Sequence, residues 1–480
     1  MDNKQQNIKQ TTMSEFYQNL RAKLWTLTGL EDPELAERAD PHEPEFAEAR
    51  HPILCLGQPG IGKTAGIIST VESFNQYFKS IGFPCHLGFK KIQLGQTIVG
   101  DFSGVPVVVE GNVKKVLTDD LPTVERDGEY GVLFLDEITS ADTQQVQPAL
   151  GLCDSSREIS GIYKLPEHWL VVAAGNGPDC SNFVSLEAMT ISRFAPVYDV
   201  AYSWNDFEGF ARSLNPSIGQ PRIHEDIRAF LEWKPEETVR PIYFDDGEGD
   251  PAIGAQFSCP RTWEALSDHI YTLQAREARR KNSKVTRSLN DIQFPDTSNK
   301  KALVEAYDPN NIIFMNSVQN TIGQVTGTAF LSFLSYKESL IYDTEKIKKG
   351  TEQKLKSAVE DTSVDVHQAM LALLSEKLIT YFSQLYKQVD DEQDADKAGK
   401  LLNQLCTEFG NTVSWFIHAD DEDDKVCFIT KIVRKMGATL GVLFDVEAFR
   451  KACPDFEDFL TDHADIFIED FDGLSDMYNS

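Results

Sequence analysis

The chain has 480 residues, room for two to four domains, and 41 % of it is hydrophobic, enough for true cores. Its formal net charge of −29 repels nucleic-acid backbones and argues against generic DNA or RNA binding. No basic, then apolar leader opens the chain, no apolar run reaches membrane-spanning length, and the 8 cysteines are scattered without a C-x-x-C pair, so the expectation is a cytoplasmic protein with reduced thiols and no metal cluster.

Taken in order, residues 1–12 are polar and are expected to be disordered. Phe16, Leu20, Leu24 and Leu27 then mark a short amphipathic helix. Glu31 to Arg50 is acidic and broken by Pro33, Pro41 and Pro44, which reads as a linker or strap.

Ile53, Leu54, Cys55 and Leu56 form a buried strand that feeds Gly57-Gln58-Pro59-Gly60-Ile61-Gly62-Lys63-Thr64. That string is G-x-x-x-x-G-K-T, the phosphate-binding loop pattern. Ile67, Val71, Phe74 and Phe78 follow on one helical face. The glycines let backbone N–H groups close on a phosphate, and the helix start adds its positive dipole end. Lys63 supplies a charge for the β- and γ-phosphates, and Thr64 offers a hydroxyl to Mg²⁺.

Cys85 to Leu94 contains a second strand, and Val107–Val109 with Val113, around Glu110-Gly111-Asn112, read as a small hairpin. Val132-Leu133-Phe134-Leu135-Asp136-Glu137 is a buried strand tipped by two carboxylates. Asp136 is placed to hold Mg²⁺, and Glu137 to orient and deprotonate water. Arg157 to Pro166 reads as a second hairpin, and Leu170 to Ala174 as a strand ending at Gly175-Asn176-Gly177. Asn176 is either a turn residue or an amide aimed at the γ-phosphate or the attacking water. Arg193 ends a short helix before a fifth strand at Val197 to Val200; it is a surface arginine or a cationic finger that reaches a neighbouring subunit's γ-phosphate.

The ordered set GQPGIGKT, VLFLDE, VVAAGN and ISRF resembles AAA+ ATPases, and within them the MoxR-like branch, phage and prophage versions included. Ile159 to Asn176 is similar to that branch's pre-sensor hairpin and sensor 1, and Ser258 to Glu264 to its sensor 2 segment, with Arg261 as the sensor arginine. The resemblance covers about residues 50–270. It implies an α/β AAA+ P-loop NTPase with a five-stranded parallel sheet, then a helical lid and an additional, mostly α-helical C-terminal domain. The expected divisions are 1–50 (helix and acidic linker), 51–203 (α/β core), 204–275 (lid) and 276–480 (acidic helical domain). It also implies ATP and Mg²⁺ as cofactors, Arg193 as a trans-acting finger, a hexameric ring, and a partner with a von Willebrand factor A domain. The family more often has Asp where Ser192 stands.

Ile223, Ile227, Phe230 and Leu231 share one helical face in the lid, and Leu266, Ile270 and Leu273 another, with an acidic loop at 245–250 between them. Arg276, Arg279, Arg280, Lys281, Lys284 and Arg287 make the one basic cluster, read as a solvated helix end. Beyond about 300 the chain is helical, with acidic loops at Asp390–Asp396 and Asp420–Asp424, and its tail mixes acids with Ile466, Phe467, Ile468 and Phe471. The reading is a protein-remodelling, chaperone-like ATPase; the alternatives are a nucleotide-gated scaffold with little turnover and a nucleic-acid-stimulated motor.

Overall fold

The computed structural model describes residues 10–29, 44–83, 85–97, 104–110, 112–116, 119–159, 161–177, 186–202, 204–240, 256–282, 306–336, 343–352, 364–419, 429 and 446–463. The acidic stretches at 245–250 and 420–424, most of the linker at 31–50, the basic residues after 282 and the tail after 463 lie outside them. The chain divides into two units, Met1–Phe210 with Thr238–Thr262, and Ala211–Glu237 with Trp263–Ser480.

The first unit is built on a sheet of six parallel strands. We number them β1 (Gln10–Thr12), β2 (Ile53–Gly57), β3 (Leu87–Gln93), β4 (Tyr130–Asp136), β5 (His168–Gly175) and β6 (Val197–Ala201). Their order across the sheet is β1-β6-β2-β5-β4-β3. Every neighbouring pair is parallel. The five expected strands are all present, which gives an α/β fold with a parallel sheet.

The sixth strand corrects the expectation of disorder at residues 10–12, while residues 1–9 lie outside the described residues: Gln10, Thr11 and Thr12 pair with Asp199, Val200 and Ala201 at the sheet edge. Thr12 then caps helix α1 (Met13–Thr28). Glu15 N donates to Thr12 Oγ1 at 3.1 Å, and Thr12 N to Glu15 Oε2 at 2.9 Å, a reciprocal capping box. Gly29 closes the helix in the left-handed conformation, at φ 66°.

A strand buried on both faces sends alternate residues to opposite cores. Ile53, Cys55, Val132, Phe134, Leu170 and Val172 face one core, with α1 and helix α2 (Lys63–Ile81). Leu54, Leu56, Leu133, Leu135, Val171 and Ala173 face the other, with Ile138, Val146, Leu150 and Phe194. Phe16, Leu20 and Leu24 are 0 % exposed and Leu27 1 %. At about 1.5–3 kcal/mol for each side chain, their burial contributes roughly 6–12 kcal/mol gross. That makes α1 a packed layer of the first unit.

The two hairpins expected from sequence are present, Val105–Val109 against Asn112–Val116 and Glu158–Ile159 against Tyr163–Lys164.

The second unit is helical. Helix α3 (Glu225–Trp233) buries Ile227, Phe230 and Leu231. The Phe230 ring lies 5.8 Å from Trp263 on α4 (Pro260–Asn282) and 5.4 Å from Phe330 and Phe333 on a further helix, Gln324–Tyr336. Helices α5 (Val364–Asp391) and α6 (Ala395–Ile417) carry a separate core around Leu378, Phe382, Phe409 and Phe416. The acidic run at 390–396, expected as a loop, supplies the short connection at 392–394 together with the end of one helix and the start of the next. Asp394 Oδ1 accepts from Asp396 N and Lys397 N at 3.1 and 3.2 Å, an N-cap. Among the described residues no helix is long and apolar enough to cross a membrane.

Glu376 on α5 ties this unit together. It accepts from Arg228 Nε at 2.7 Å and from both terminal nitrogens of Arg212 at 2.9 and 2.7 Å. The side chains of Glu376 and Arg228 are 1 % and 2 % exposed. Glu376→Ala strands a buried guanidinium and is expected to cost about 3–5 kcal/mol in chemical denaturation. A loss under about 1 kcal/mol would show that the cluster relaxes without it.

Candidate functional site

Ligands of open parallel sheets bind at the carboxyl ends of the strands, where the strand order reverses. Here β2 is that point, with β6 on one side and β5 on the other. The register levels the strand tips, for Leu56 lies opposite Gly175, and Ala173 opposite Leu135. Gly57, Asp136 and Asn176 therefore sit along one edge.

The loop from Gly57 to Lys63 needs its glycines. Gly60 and Gly62 have φ of 79° and 95°, open to glycine at no steric cost. A Cβ on Gly60 would stand 2.6 Å from Cys259 Sγ, whereas one on Gly62 would meet no atom within 4 Å. The loop is thus packed on one side and open on the other. Gly62 caps α2, which begins at Lys63 and brings the N-terminal end of the helix to the loop. Lys63 Nζ donates to Gly57 O and Gln58 O, each at 2.7 Å. Gln58, Pro59 and Ile61 complete the loop, and Ile61 is buried at 2 % exposure, which anchors it.

Thr64 Oγ1 donates to Asp136 Oδ2 at 3.1 Å, so residues 72 positions apart meet. The other oxygen, Asp136 Oδ1, accepts from Glu137 N at 3.0 Å. Glu137 has φ 59°, a left-handed conformation uncommon outside glycine. Such strain gathers at functional sites, where surrounding structure holds it. Glu137 is exposed, and a Cβ on Gly95 would lie 3.5 Å from its Oε2. Asn176 N donates to Thr139 Oγ1 at 2.7 Å, and Gly177 N to Gly57 O at 3.2 Å, which fastens the tip of β5 to the tips of β4 and β2.

Arg261 lies in the first turn of α4, and its Cβ would be 3.8 Å from a Cβ on Gly60. The sensor 2 arginine expected from sequence therefore starts at the phosphate loop. Arg193 turns elsewhere in its own chain: its Nε pairs with Asp154 Oδ1 at 3.2 Å. Phe194, 4 % exposed, fixes the backbone beside it.

Sequence reasoning missed four participants. Tyr17 on α1 donates its hydroxyl to Gly62 O at 3.1 Å, and burial raises its pKa well above the phenol range, so it stays a neutral donor. A Cβ on Gly66 would run into that hydroxyl at 1.8 Å, so only glycine fits there. Lys91 on β3 places Nζ 2.8 Å from Asp136 Oδ2. Thr139 and Cys259 are the other two. Nothing local in the sequence marks Tyr17, Lys91 or Thr139, because each acts through a neighbour distant along the chain; Cys259 lies in the segment read as sensor 2, but its packing on Gly60 is not local either.

The donor set fits Mg²⁺, which takes one or two protein oxygens and completes its shell with substrate phosphates and water. Thr64 Oγ1 and Asp136 are such hard oxygens, and among the described residues there is no cluster of three His, Cys, Asp or Glu to serve as a protein cage. Burial pushes the thiols of Cys55, Cys85 and Cys153 up to about 12, which disfavours their thiolates. All six described cysteines are free thiols.

The geometry defines a P-loop nucleotide fold with paired acids at the switch point. No protein-family profile matches the chain. No curated protein matches it either. Solved structures with some likeness include a protein of Cytophaga hutchinsonii assigned as an ATPase, 17 % identical, covering 42 % of this chain and 51 % of that one at a TM-score of 0.26. Hsp104 of S. cerevisiae in complex with casein is 14 % identical over 57 % of this chain and 49 % of its own, at 0.30. PCH-2 of C. elegans is 11 % identical over 68 % and 69 %, at 0.26. The chain spans about half the length of the first two. Scores this low carry no functional argument, which rests on the site itself.

Proposed function

We propose that this chain is a MoxR-like AAA+ ATPase of the phage or prophage type. It hydrolyses ATP at the subunit interfaces of a ring, a hexamer by resemblance, and uses the motion of its helical lid to remodel or activate a partner protein. The observation that carries this reading is the meeting of Lys63, Thr64 and Asp136 at one sheet edge.

In this reading Gly60, Gly62 and Lys63 hold the phosphates, and Thr64 and Asp136 hold Mg²⁺. Bound there, Mg²⁺ neutralises charge on the β- and γ-phosphates. Glu137 takes the proton of the attacking water, Asn176 orients that water, and Arg261 reports the nucleotide state to the lid. Arg193 completes the site of the adjoining subunit. A partner with a von Willebrand factor A domain and a cytoplasmic location belong to the same proposal; the first rests on the resemblance and the second on the unpaired cysteine pattern. The net charge of −29 disfavours nucleic acid as the substrate.

Turnover measured with and without DNA or RNA, beside mass measurement with a non-hydrolysable ATP analogue, tests the proposal. Hydrolysis by a nucleotide-stabilised ring supports it. Tight binding with turnover below about one per minute favours a scaffold. Stimulation by nucleic acid favours a motor.

Lys63→Ala removes the charge-assisted hydrogen bonds to the phosphates. Two of them at about 1.5–3 kcal/mol each predict at least a hundredfold loss of affinity for a fluorescent ATP analogue. Affinity within threefold of the parent would remove the loop from the mechanism.

A further inference from the structure

The carboxylate of Asp136 is engaged on three sides: Thr64 Oγ1 at 3.1 Å and Lys91 Nζ at 2.8 Å on Oδ2, and Glu137 N at 3.0 Å on Oδ1. Lys91 stands opposite Phe134 in the β3–β4 register, and Asp136 is two residues on from Phe134. Residues two apart share a face of a strand, so the lysine stem runs along the face from which Asp136 projects. The Lys91 side chain is 35 % exposed and that of Asp136 13 %. The cation end is therefore open to water while its acceptor is not.

An ammonium and a dication cannot share one carboxylate oxygen at close range. They compete for the same lone pairs and repel each other. The Lys91 stem is long and flexible, its charge is strongly hydrated, and a partly exposed ion pair is weak enough to exchange. We infer that Lys91 is a positioning residue for the metal step, a cationic gate on Asp136. It holds the carboxylate against Thr64 and withdraws to solvent as a divalent ion arrives. The gate makes metal entry conditional, because Mg²⁺ is admitted only where nucleotide phosphates supply the remaining charge. The inference rests on the nucleotide reading of this site.

The test is a Mg²⁺ titration of fluorescent ATP-analogue binding, run on the full chain, Lys91→Met, Lys91→Gln and Lys91→Arg, with circular dichroism to confirm folding. Met and Gln keep a stem without the charge; two different replacements guard against one failing to fold. Both are expected to lower the Mg²⁺ concentration at half-saturation by about 1.5- to fivefold, the range that exposed ion pairs contribute. Lys91→Arg is expected to stay at the parent value. Competition with Mn²⁺, read by its paramagnetic signal, should show the same order. An unchanged or higher Mg²⁺ requirement in folded Met and Gln variants overturns the gate, as does an Arg variant that behaves like Met. If the parent chain binds no nucleotide at any Mg²⁺ concentration, the nucleotide reading fails first, a result distinct from either of these.

Discussion

Arg193→Ala is expected to leave ATP affinity within a few-fold of the parent and to lower turnover by about 10³–10⁵, the worth of an arginine finger in related phosphoryl transfer. The loss would not come from unfolding. Arg193 and its partner Asp154 are 29 % and 41 % exposed, and such a pair contributes only about 0–1 kcal/mol. The guanidinium is held by its own chain, on a backbone anchored by Phe194. In the proposal it acts on the adjoining subunit, and that has a consequence for mixtures. Arg193→Ala has an intact P-loop, and Lys63→Ala an intact finger. Where the two meet in the right order, a complete site is rebuilt, so the mixture should hydrolyse ATP faster than either variant alone. No recovery at any ratio would remove the shared site.

The phosphate loop was legible because its chemistry is local. Three glycines, a lysine and a threonine between a buried apolar run and a 3.6-period face leave few other structures. The strand before Asp136 was legible for the same reason, since four apolar residues that end in two acids describe both burial and exposure. The edge strand at Gln10–Thr12 was not. Three polar residues have no strand signature of their own, and they pair only because Asp199–Ala201 presents an open edge. A sign was nonetheless present, though not read: Thr12 and Glu15 have capping-box spacing, which marks a helix start at Met13.

The contacts across the site were hidden in the same way as the edge strand. Tyr17 reaches Gly62, Lys91 reaches Asp136 and Cys259 packs on Gly60, each from an element whose neighbour is chosen by strand order. A single sequence carries residue types and spacings. It does not carry adjacency between β3 and β4, and the Lys91–Asp136 pair exists only there. The acidic run at 390–396 was legible as a connection but not in its detail: only 392–394 lie between the two helices, and Asp394 serves there as an N-cap, satisfying two backbone donors.

Glu137→Gln should bind ATP as the parent does and turn it over about 10²–10⁴ times more slowly, the range for removing a positioned general base. The amide has the shape of the carboxylate but cannot accept the proton from water. The expected structural cost is small. Glu137 is exposed, and substitutions at such positions usually fall within about ±0.5 kcal/mol. Its left-handed backbone, at φ 59°, is held by the turn after β4, where Ser140 N donates to Glu137 O at 2.9 Å and Ile138 N to Ala174 O at 3.0 Å. Those bonds are made by main chain, so Gln inherits them. Asp136→Asn is the contrasting control. It removes the charge beside Thr64 Oγ1, and should lower Mg²⁺-dependent binding itself rather than turnover after binding. Single-turnover hydrolysis and equilibrium binding, measured on both variants, separate the two roles. Parent-like hydrolysis by Glu137→Gln would show that the proton leaves by another group, and the strained residue after β4 would then lose its place as the base.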